Sequence, residues 1–280
     1  MSLKRAGLLA VVVLALAAAA GAAVLRQSRD LDETFRSVAL QGAVHARVVL
    51  PRGYATSHQR YPVVYFLHGL PANGGAYEGN DWLIDALEQA GPAILVMPQG
   101  ARANDTDPEY LNWGVGRNWE DYIAGEVPRY VDAHFRTIRS RDGRAIVGLS
   151  AGGYGATILG LHHLGRFAAI ESWSGYFAPT DPTGSYFLRR EATASAVNLL
   201  ARVKAQERRL PAFLALYVGN SDTRFRDDNV LFDAQLNRAR IPHVFAVYPG
   251  GHQTSLWKAH ATQWLAMALH HLSPPRATNP

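Results

Sequence analysis

The chain has 280 residues, 48% of them hydrophobic and 18% charged, a composition typical of one globular α/β domain and not of a disordered chain. Its 28 basic and 23 acidic residues give a formal net charge of +5, but the basic residues are scattered and form no stripe of the kind expected of a nucleic-acid-binding protein. The sequence contains no cysteine, which excludes disulfides, a cysteine nucleophile and cysteine metal ligands.

Residues 1–25 have the pattern of a targeting segment. Lys4 and Arg5 precede an apolar run from Ala6 to Leu25 that contains small residues near its end. This arrangement is typical of a secretory signal peptide, but the run is also long enough to span a bilayer as an N-terminal membrane anchor. Both alternatives stay open. In either case we expect the rest of the chain to be secreted or extracytoplasmic.

Beyond the leader, apolar segments of strand length alternate with segments of helical period. Strands are predicted at 44–50, 61–67, 93–97, 145–149, 167–171, 212–218 and 244–248. Helices are predicted at 81–90, 119–134, 152–164, 227–240 and 255–271. Continuous apolar strands interleaved with helices predict an α/β fold, in which a mostly parallel central sheet carries helices on both faces.

This pattern predicts one folded domain over residues 26–272, followed by a flexible, proline-containing C-terminal tail at 273–280. The segment 174–211 is the longest stretch without a predicted core strand. In such folds a long segment after a middle strand often forms a lid or the wall of a pocket.

The pentapeptide Gly148-Leu149-Ser150-Ala151-Gly152 lies between a predicted strand and a predicted helix. A G-x-S-x-G sequence in this context is typical of a nucleophile elbow, the tight turn that exposes a reactive serine in the α/β-hydrolase fold. Glycine is needed on both sides because larger side chains would collide with the neighbouring strand and helix. The alternative is a glycine-rich helix start packed closely on the sheet. We favour the elbow, with Ser150 as candidate nucleophile.

A serine hydroxyl is a weak nucleophile until a base takes its proton, and a carboxylate usually holds that base. In the α/β-hydrolase fold the chain order is serine, acid, histidine. His252 is the candidate base because it follows two glycines in a loop after a predicted strand, a context that the other ten histidines lack. Asp222, at the end of the preceding strand, is the candidate acid. Asp227 and Asp228 remain alternatives, although acidic residues are common at the start of a helix.

An oxyanion hole is also expected. Its first donor would be the backbone N–H of Ala151, the residue after the nucleophile. Its second would be the N–H of Leu70, which follows His68-Gly69 at the end of an early predicted strand. His68 itself is interpreted as a structural residue that orients this loop through hydrogen bonds.

No metal and no organic cofactor are expected. Adjacent histidines occur at 162–163 and 270–271, both on predicted helices. Neighbouring side chains on a helix diverge by about 100°, so neither pair is expected to chelate a metal ion.

With these residues identified, the chain resembles the putative esterase family of the α/β-hydrolase fold over residues 44–269. That family includes esterase D-like S-formylglutathione hydrolases, feruloyl and acetylxylan esterases, siderophore-ester hydrolases and mycolyltransferases. The resemblance rests on the segments Phe66–Leu70, Trp119–Tyr122, Glu126–Tyr130, Gly148–Gly153, Gly219–Asp222 and Gly250–His252, with Trp257 after the last of them. It implies the same triad as the residue-level argument.

Differences between this sequence and two subgroups of the family narrow the activity that the resemblance implies. S-formylglutathione hydrolases are cytosolic and commonly carry histidine before the nucleophile, where this chain has Leu149. Mycolyltransferases usually have a glutamate as triad acid, where this chain has Asp222. The resemblance therefore favours hydrolysis of a small-molecule, glycan-linked or lipid ester. An exported acyltransferase and a non-catalytic envelope binding module are the two alternatives.

Overall fold

The computed structural model describes residues 29–102, 110–177 and 210–277. The predicted targeting segment at 1–25 and most of the 174–211 segment lie outside these ranges. Within them, no helix combines the length and the apolar character needed to cross a membrane.

The sheet of the described residues is built around strands of continuous apolar sequence. Its strands, with two short ones outside the main sheet, are β1 (Asp30–Ser37), β2 (Gly42–Val49), β3 (Gln59–Arg60), β4 (Val63–Leu67), β5 (Ile94–Pro98), β6 (Arg144–Leu149), β7 (Ala169–Trp173), β8 (Phe213–Gly219), β9 (Val244–Tyr248) and β10 (Arg276–Ala277). Eight of them pair in the order β1-β2-β5-β4-β6-β7-β8-β9, while β3 and β10 form a separate pair. In this order, every pair from β5 through β4 to β9 is parallel. The pairs β1–β2 and β2–β5 are antiparallel.

Helices cover both faces of this sheet. They are α1 (Trp82–Ala90), α2 (Val127–His134), α3 (Ala151–His162), α4 (Arg226–Ala239) and α5 (Thr254–His270), with short 3-10 turns at Tyr54–Thr56, Ala76–Glu78 and Arg141–Gly143. Buried residues of α2, α3 and α4 pack on one face, and those of α1 and α5 pack on the other. Strands β4, β5, β6 and β7 are buried throughout because helices shield them on both sides. The predicted α/β class and its mostly parallel sheet are confirmed.

One predicted helix differs from expectation. The segment predicted as a continuous helix at 119–134 begins with a π-helical turn, Asp121–Glu126, and becomes α-helical only at Val127. Val127 donates its N–H to the carbonyl of Tyr122, five residues back. Pro128 follows and has no N–H to donate, so a regular α-helical ladder is already interrupted at this point.

Two further elements were not predicted. Strand β1 is rich in polar residues and pairs only with β2 at the sheet edge, so it lacks the apolar pattern of a buried strand. Residues 273–277 differ from the predicted flexible tail: Ser273 donates its N–H to Asp142 O, and β10 pairs antiparallel with β3. Backbone hydrogen bonds to a neighbouring segment, which no side-chain pattern reveals, hold this part of the chain.

The strand order reverses at the carboxyl ends of β4 and β6. These strands are neighbours, but the chain leaves β4 toward β5 on one side and leaves β6 toward β7 on the other. In open α/β sheets, ligands bind where the strand order reverses in this way. We therefore expect a functional site among the residues that follow β4 and β6.

Candidate active site

Ser150 follows β6 and directly precedes α3. Its backbone has φ 54° and ψ −121°, a strained conformation for a residue with a side chain. A Cβ atom at Gly148 would lie 2.1 Å from Gly152 O, and one at Gly152 would lie 2.0 Å from Leu67 O. Only glycine fits at both positions. The geometry is that of the tight strand-to-helix turn predicted from the sequence.

The backbone N–H of Ser150 has an acceptor, whereas the N–H of Ala151 has none within its helix. Ser150 donates its N–H to Trp173 O of the neighbouring strand β7, at 2.9 Å. Ala151 is the first residue of α3, so its N–H has no acceptor within the helix. This N–H and the helix dipole favour negative charge beside the serine.

The Ser150 hydroxyl lies next to His252, which is in the loop between β9 and α5. The distance from His252 Nε2 to Ser150 Oγ is 2.9 Å, and His252 Nδ1 lies 2.9 Å from Asp222 Oδ2. The imidazole side chain is 12% exposed and the Asp222 carboxylate is fully buried. The structure thus brings together, in one hydrogen-bonded chain, the three residues that the sequence singled out.

Asp222 is oriented by its own loop. Its second carboxylate oxygen, Oδ1, accepts N–H groups from Arg224 at 3.1 Å and Phe225 at 3.0 Å, which leaves Oδ2 free to face His252. The alternative acid Asp227 is exposed and forms an ion pair with Arg226 at 3.0 Å. Asp222, and not Asp227, is therefore the carboxylate that contacts His252.

The loop after β4 lies against the serine. A Cβ atom at Gly69 would lie 2.9 Å from Ser150 Cβ, so the Gly69–Leu70 backbone passes directly beside the nucleophile candidate. His68 is buried, accepts the N–H of Gly100 at Nε2 (3.1 Å) and has Nδ1 3.0 Å from Gly69 O. These contacts assign the proton to Nδ1, and burial lowers the pKa of His68, which keeps the ring neutral.

The histidine pair 162–163 has a partner that the sequence argument missed. Nδ1 of His162 and Nε2 of His163 lie 3.1 and 2.9 Å from the same oxygen of Glu120. The rings converge because His163 has left the helical conformation, with φ −119° and ψ 47°. Burial opposes ionisation of Glu120, but the hydrogen bonds from both rings prevail and lower its pKa to about 2. Among the described residues, no group of three such side chains has the geometry of a metal site.

A family model described as putative esterase matches residues 37–267, most of the chain. The chain belongs to the putative esterase family. The resemblance inferred from the sequence motifs is thereby confirmed.

Mycobacterial proteins are among the curated relatives of this esterase-family chain. Esterase Rv1288 of Mycobacterium tuberculosis is 35% identical over 145 residues, which cover 50% of this chain and 31% of that protein. Diacylglycerol acyltransferase/mycolyltransferase Ag85B of Mycobacterium leprae is 34% identical over 125 residues, covering 40% of this chain and 36% of that one. The matches span about a third of the length of these relatives.

Solved structures match over more of the chain. A ferulic acid esterase superposes with a TM-score of 0.73 at 25% identity, covering 87% of this chain and 98% of that one. The S-formylglutathione hydrolase of Staphylococcus aureus gives a TM-score of 0.69 at 22% identity, covering 85% and 98%. The predicted α/β-hydrolase fold is confirmed.

Proposed function

We propose that this esterase-family chain is an exported serine hydrolase that cleaves carboxylic esters through Ser150, His252 and Asp222. The observation that carries the proposal is the hydrogen-bonded chain from Ser150 Oγ through the imidazole to the buried carboxylate. Nucleophile, base and orienting acid in this order are the requirement for activating a serine hydroxyl.

In the first half of the reaction, His252 Nε2 takes the proton of Ser150 as Oγ attacks the ester carbonyl. Asp222 fixes the imidazole with its proton on Nδ1 and stabilises the imidazolium that forms. The tetrahedral oxyanion accepts hydrogen bonds from the N–H groups of Ala151 and Leu70. The imidazolium then protonates the departing alcohol, which leaves an acyl group on Ser150.

In the second half, a water molecule gives its proton to His252 and attacks the acyl-enzyme. The same two N–H groups hold the second oxyanion, and the acid product leaves as Ser150 regains its proton. Donors aimed at the charge of the transition state are worth about 10²–10³ in rate each, so the loop that carries Leu70 contributes to the rate together with the base.

The proposed location is outside the cytoplasm. The basic and apolar pattern of residues 1–25 supports export, either with cleavage of the segment or with its retention as a membrane anchor. The substrates proposed are small-molecule, glycan-linked or lipid esters, and nucleic acid is not among the proposed partners.

Acyl transfer is the second candidate function, because a relative named as a mycolyltransferase is 34% identical to part of this chain. A sugar or lipid hydroxyl would then replace water in the second half of the reaction. Trehalose or another polyol, added to the assay, would yield an acylated polyol if transfer competes with hydrolysis. Release of free acid alone would leave the esterase proposal standing.

The proposed function is tested with p-nitrophenyl esters of increasing acyl length and with a fluorophosphonate probe. We expect the parent protein to hydrolyse at least one ester and to react with the probe. Ser150→Ala removes the nucleophile and should abolish both while leaving the circular dichroism spectrum unchanged. Activity that survives in Ser150→Ala would contradict the assignment. A parent protein inert to both reagents would favour the non-catalytic envelope module.

A further inference from the structure

The His252 ring contacts two aromatic side chains. Phe225 contacts it with ring centroids 4.9 Å apart and an interplanar angle of 72°, and Trp257 contacts it at 5.2 Å and 89°. We refer to Phe225 and Trp257 as the aromatic clamp. Apolar rings offer the imidazole nitrogens no strong hydrogen-bond acceptor.

Trp257 is itself anchored by a buried serine. Its indole Nε1–H donates to Ser174 Oγ at 3.1 Å, and Ser174 is fully buried at the end of β7. Ser174 has φ 53°, a conformation that favours glycine. This backbone conformation is strained for a residue with a side chain. The Ser174 hydroxyl is the acceptor that orients the Trp257 indole.

Phe225 is anchored from its backbone. Its N–H donates to Asp222 Oδ1 at 3.0 Å, and its carbonyl accepts Asn229 Nδ2 at 2.8 Å. Asn229 is fully buried and donates also to Gly175 O at 2.6 Å. Phe225 therefore contacts two members of the candidate site. Its N–H donates to the Asp222 carboxylate, and its ring packs against the His252 imidazole.

From this geometry we propose that Phe225 and Trp257 are positioning residues of the base, and that Ser174 sets the clamp by holding the Trp257 indole. The inference rests on the proposed function, because it assigns the clamp to the proton transfer between Ser150 and His252. Edge-to-face packing restricts rotation of the imidazole and keeps Nε2 directed at Ser150 Oγ. An error of about 1 Å in such an arrangement can cost on the order of 10²-fold in rate.

The test compares Ser174→Gly with Ser174→Ala. Both remove the acceptor of the indole N–H, but only glycine relieves the positive φ, so Ser174→Gly should have the higher melting temperature of the two. We expect both variants to lose about tenfold in kcat, with KM within about twofold of the parent, and to react correspondingly more slowly with a fluorophosphonate. Trp257→Phe removes the donor of the same hydrogen bond, and its combination with Ser174→Gly should cause no additional loss.

Trp264→Phe is the matched control. Trp264 lies on α5 as Trp257 does and is fully buried, but its ring contacts Trp173, Tyr217, Tyr248 and His260 and not His252. This variant should lose stability and keep the parental kcat. The inference is overturned if Ser174→Gly retains the parental kcat, or if kcat follows melting temperature across all variants. Activity in Ser150→Ala would instead contradict the proposed function itself.

Discussion

At the scale of single residues, the candidate site depends on the absence of side chains as much as on their presence. Gly148 and Gly152 allow strand β6, helix α3 and the end of β4 to approach within contact distance around Ser150. This requirement was readable from the pentapeptide, because a tight strand-to-helix turn imposes the same contacts wherever it occurs. The positive φ of Ser150 is a consequence of that turn.

We expect Gly152→Ala to destabilise the protein strongly. Its new Cβ would lie 2.0 Å from Leu67 O and 2.7 Å from His68 O, both backbone atoms that cannot move away alone. The expected loss in the free energy of unfolding is about 3 kcal/mol, measured by urea denaturation. Gly165→Ala is the control, because a Cβ there meets nothing within 4 Å, and it should stay within about 0.5 kcal/mol of the parent. Equal stability of the two variants would contradict close packing at the elbow.

At the scale of elements, β7 carries a carboxyl group in the core. Glu171 is fully buried, and its Oε2 accepts the indole N–H of Trp173 at 3.0 Å. Burial raises the pKa of Glu171 to about 8, against smaller opposite effects from Trp173 and Tyr217. Glu171 lies two residues before Trp173, whose carbonyl accepts the N–H of Ser150 and whose ring contacts Phe66 of β4. A protonated carboxyl group is the form that this environment tolerates.

Glu171 should make the parent protein less stable as pH rises from about 4.5 to 8. Over this range the unfolded state releases a proton that the folded state retains, so the free energy of unfolding falls with pH. The Glu171→Gln variant has a neutral amide that resembles the protonated carboxyl group. Its free energy of unfolding should therefore increase relative to that of the parent as pH rises, by a few kcal/mol near pH 8. Urea denaturation of both proteins at a series of pH values measures the difference.

Glu88→Gln provides a control of opposite sign. Hydrogen bonds and charge from Arg29 and Arg52 prevail over burial and lower the pKa of Glu88, so its ionised form contributes stability above the unfolded-state pKa. Removing that charge should cost stability at neutral pH and cost progressively less on acidification. A pH-independent difference for Glu171→Gln would contradict the buried, protonated carboxyl group.

At the scale of the whole molecule, the hydrophobic core extends to Leu272. This side chain is 7% exposed and belongs to the cluster formed with α1 and α5. Beyond it, Ser273 bonds to Asp142 O and the exposed strand β10 pairs with β3. Leu272 is therefore a core residue, and residues 273–277 are attached beyond it by backbone hydrogen bonds.

Truncation should separate these two contributions. Of the described contacts, a chain that ends after Ser273 loses the exposed β3–β10 pairing, and we expect a change in the free energy of unfolding below about 1 kcal/mol. A chain that ends after His271 also loses Leu272, whose burial contributes about 1.5–3 kcal/mol. Thermal denaturation of both chains measures the difference. Equal melting temperatures would contradict the assignment of Leu272 to the core.

Local patterns in the sequence determined the class of the fold and the candidates for the site. Continuous apolar runs identified the parallel strands, and the elbow glycines identified Ser150. The order of motifs along the chain identified Asp222 and His252. Each inference depends on residues adjacent in sequence, where turn chemistry and side-chain period act directly. Polar edge strand β1 and the π-helical turn before Pro128 lack such signals.

Contacts between distant segments were decided only by the tertiary structure. Ser150 and His252 are 102 residues apart, yet the parallel sheet brings the ends of their strands to one edge. The same packing places Phe225 and Trp257 against the imidazole, and it places Glu120 against two histidines. The sequence does not show which of these residues meet, because their contacts depend on strand order, register and the space between layers.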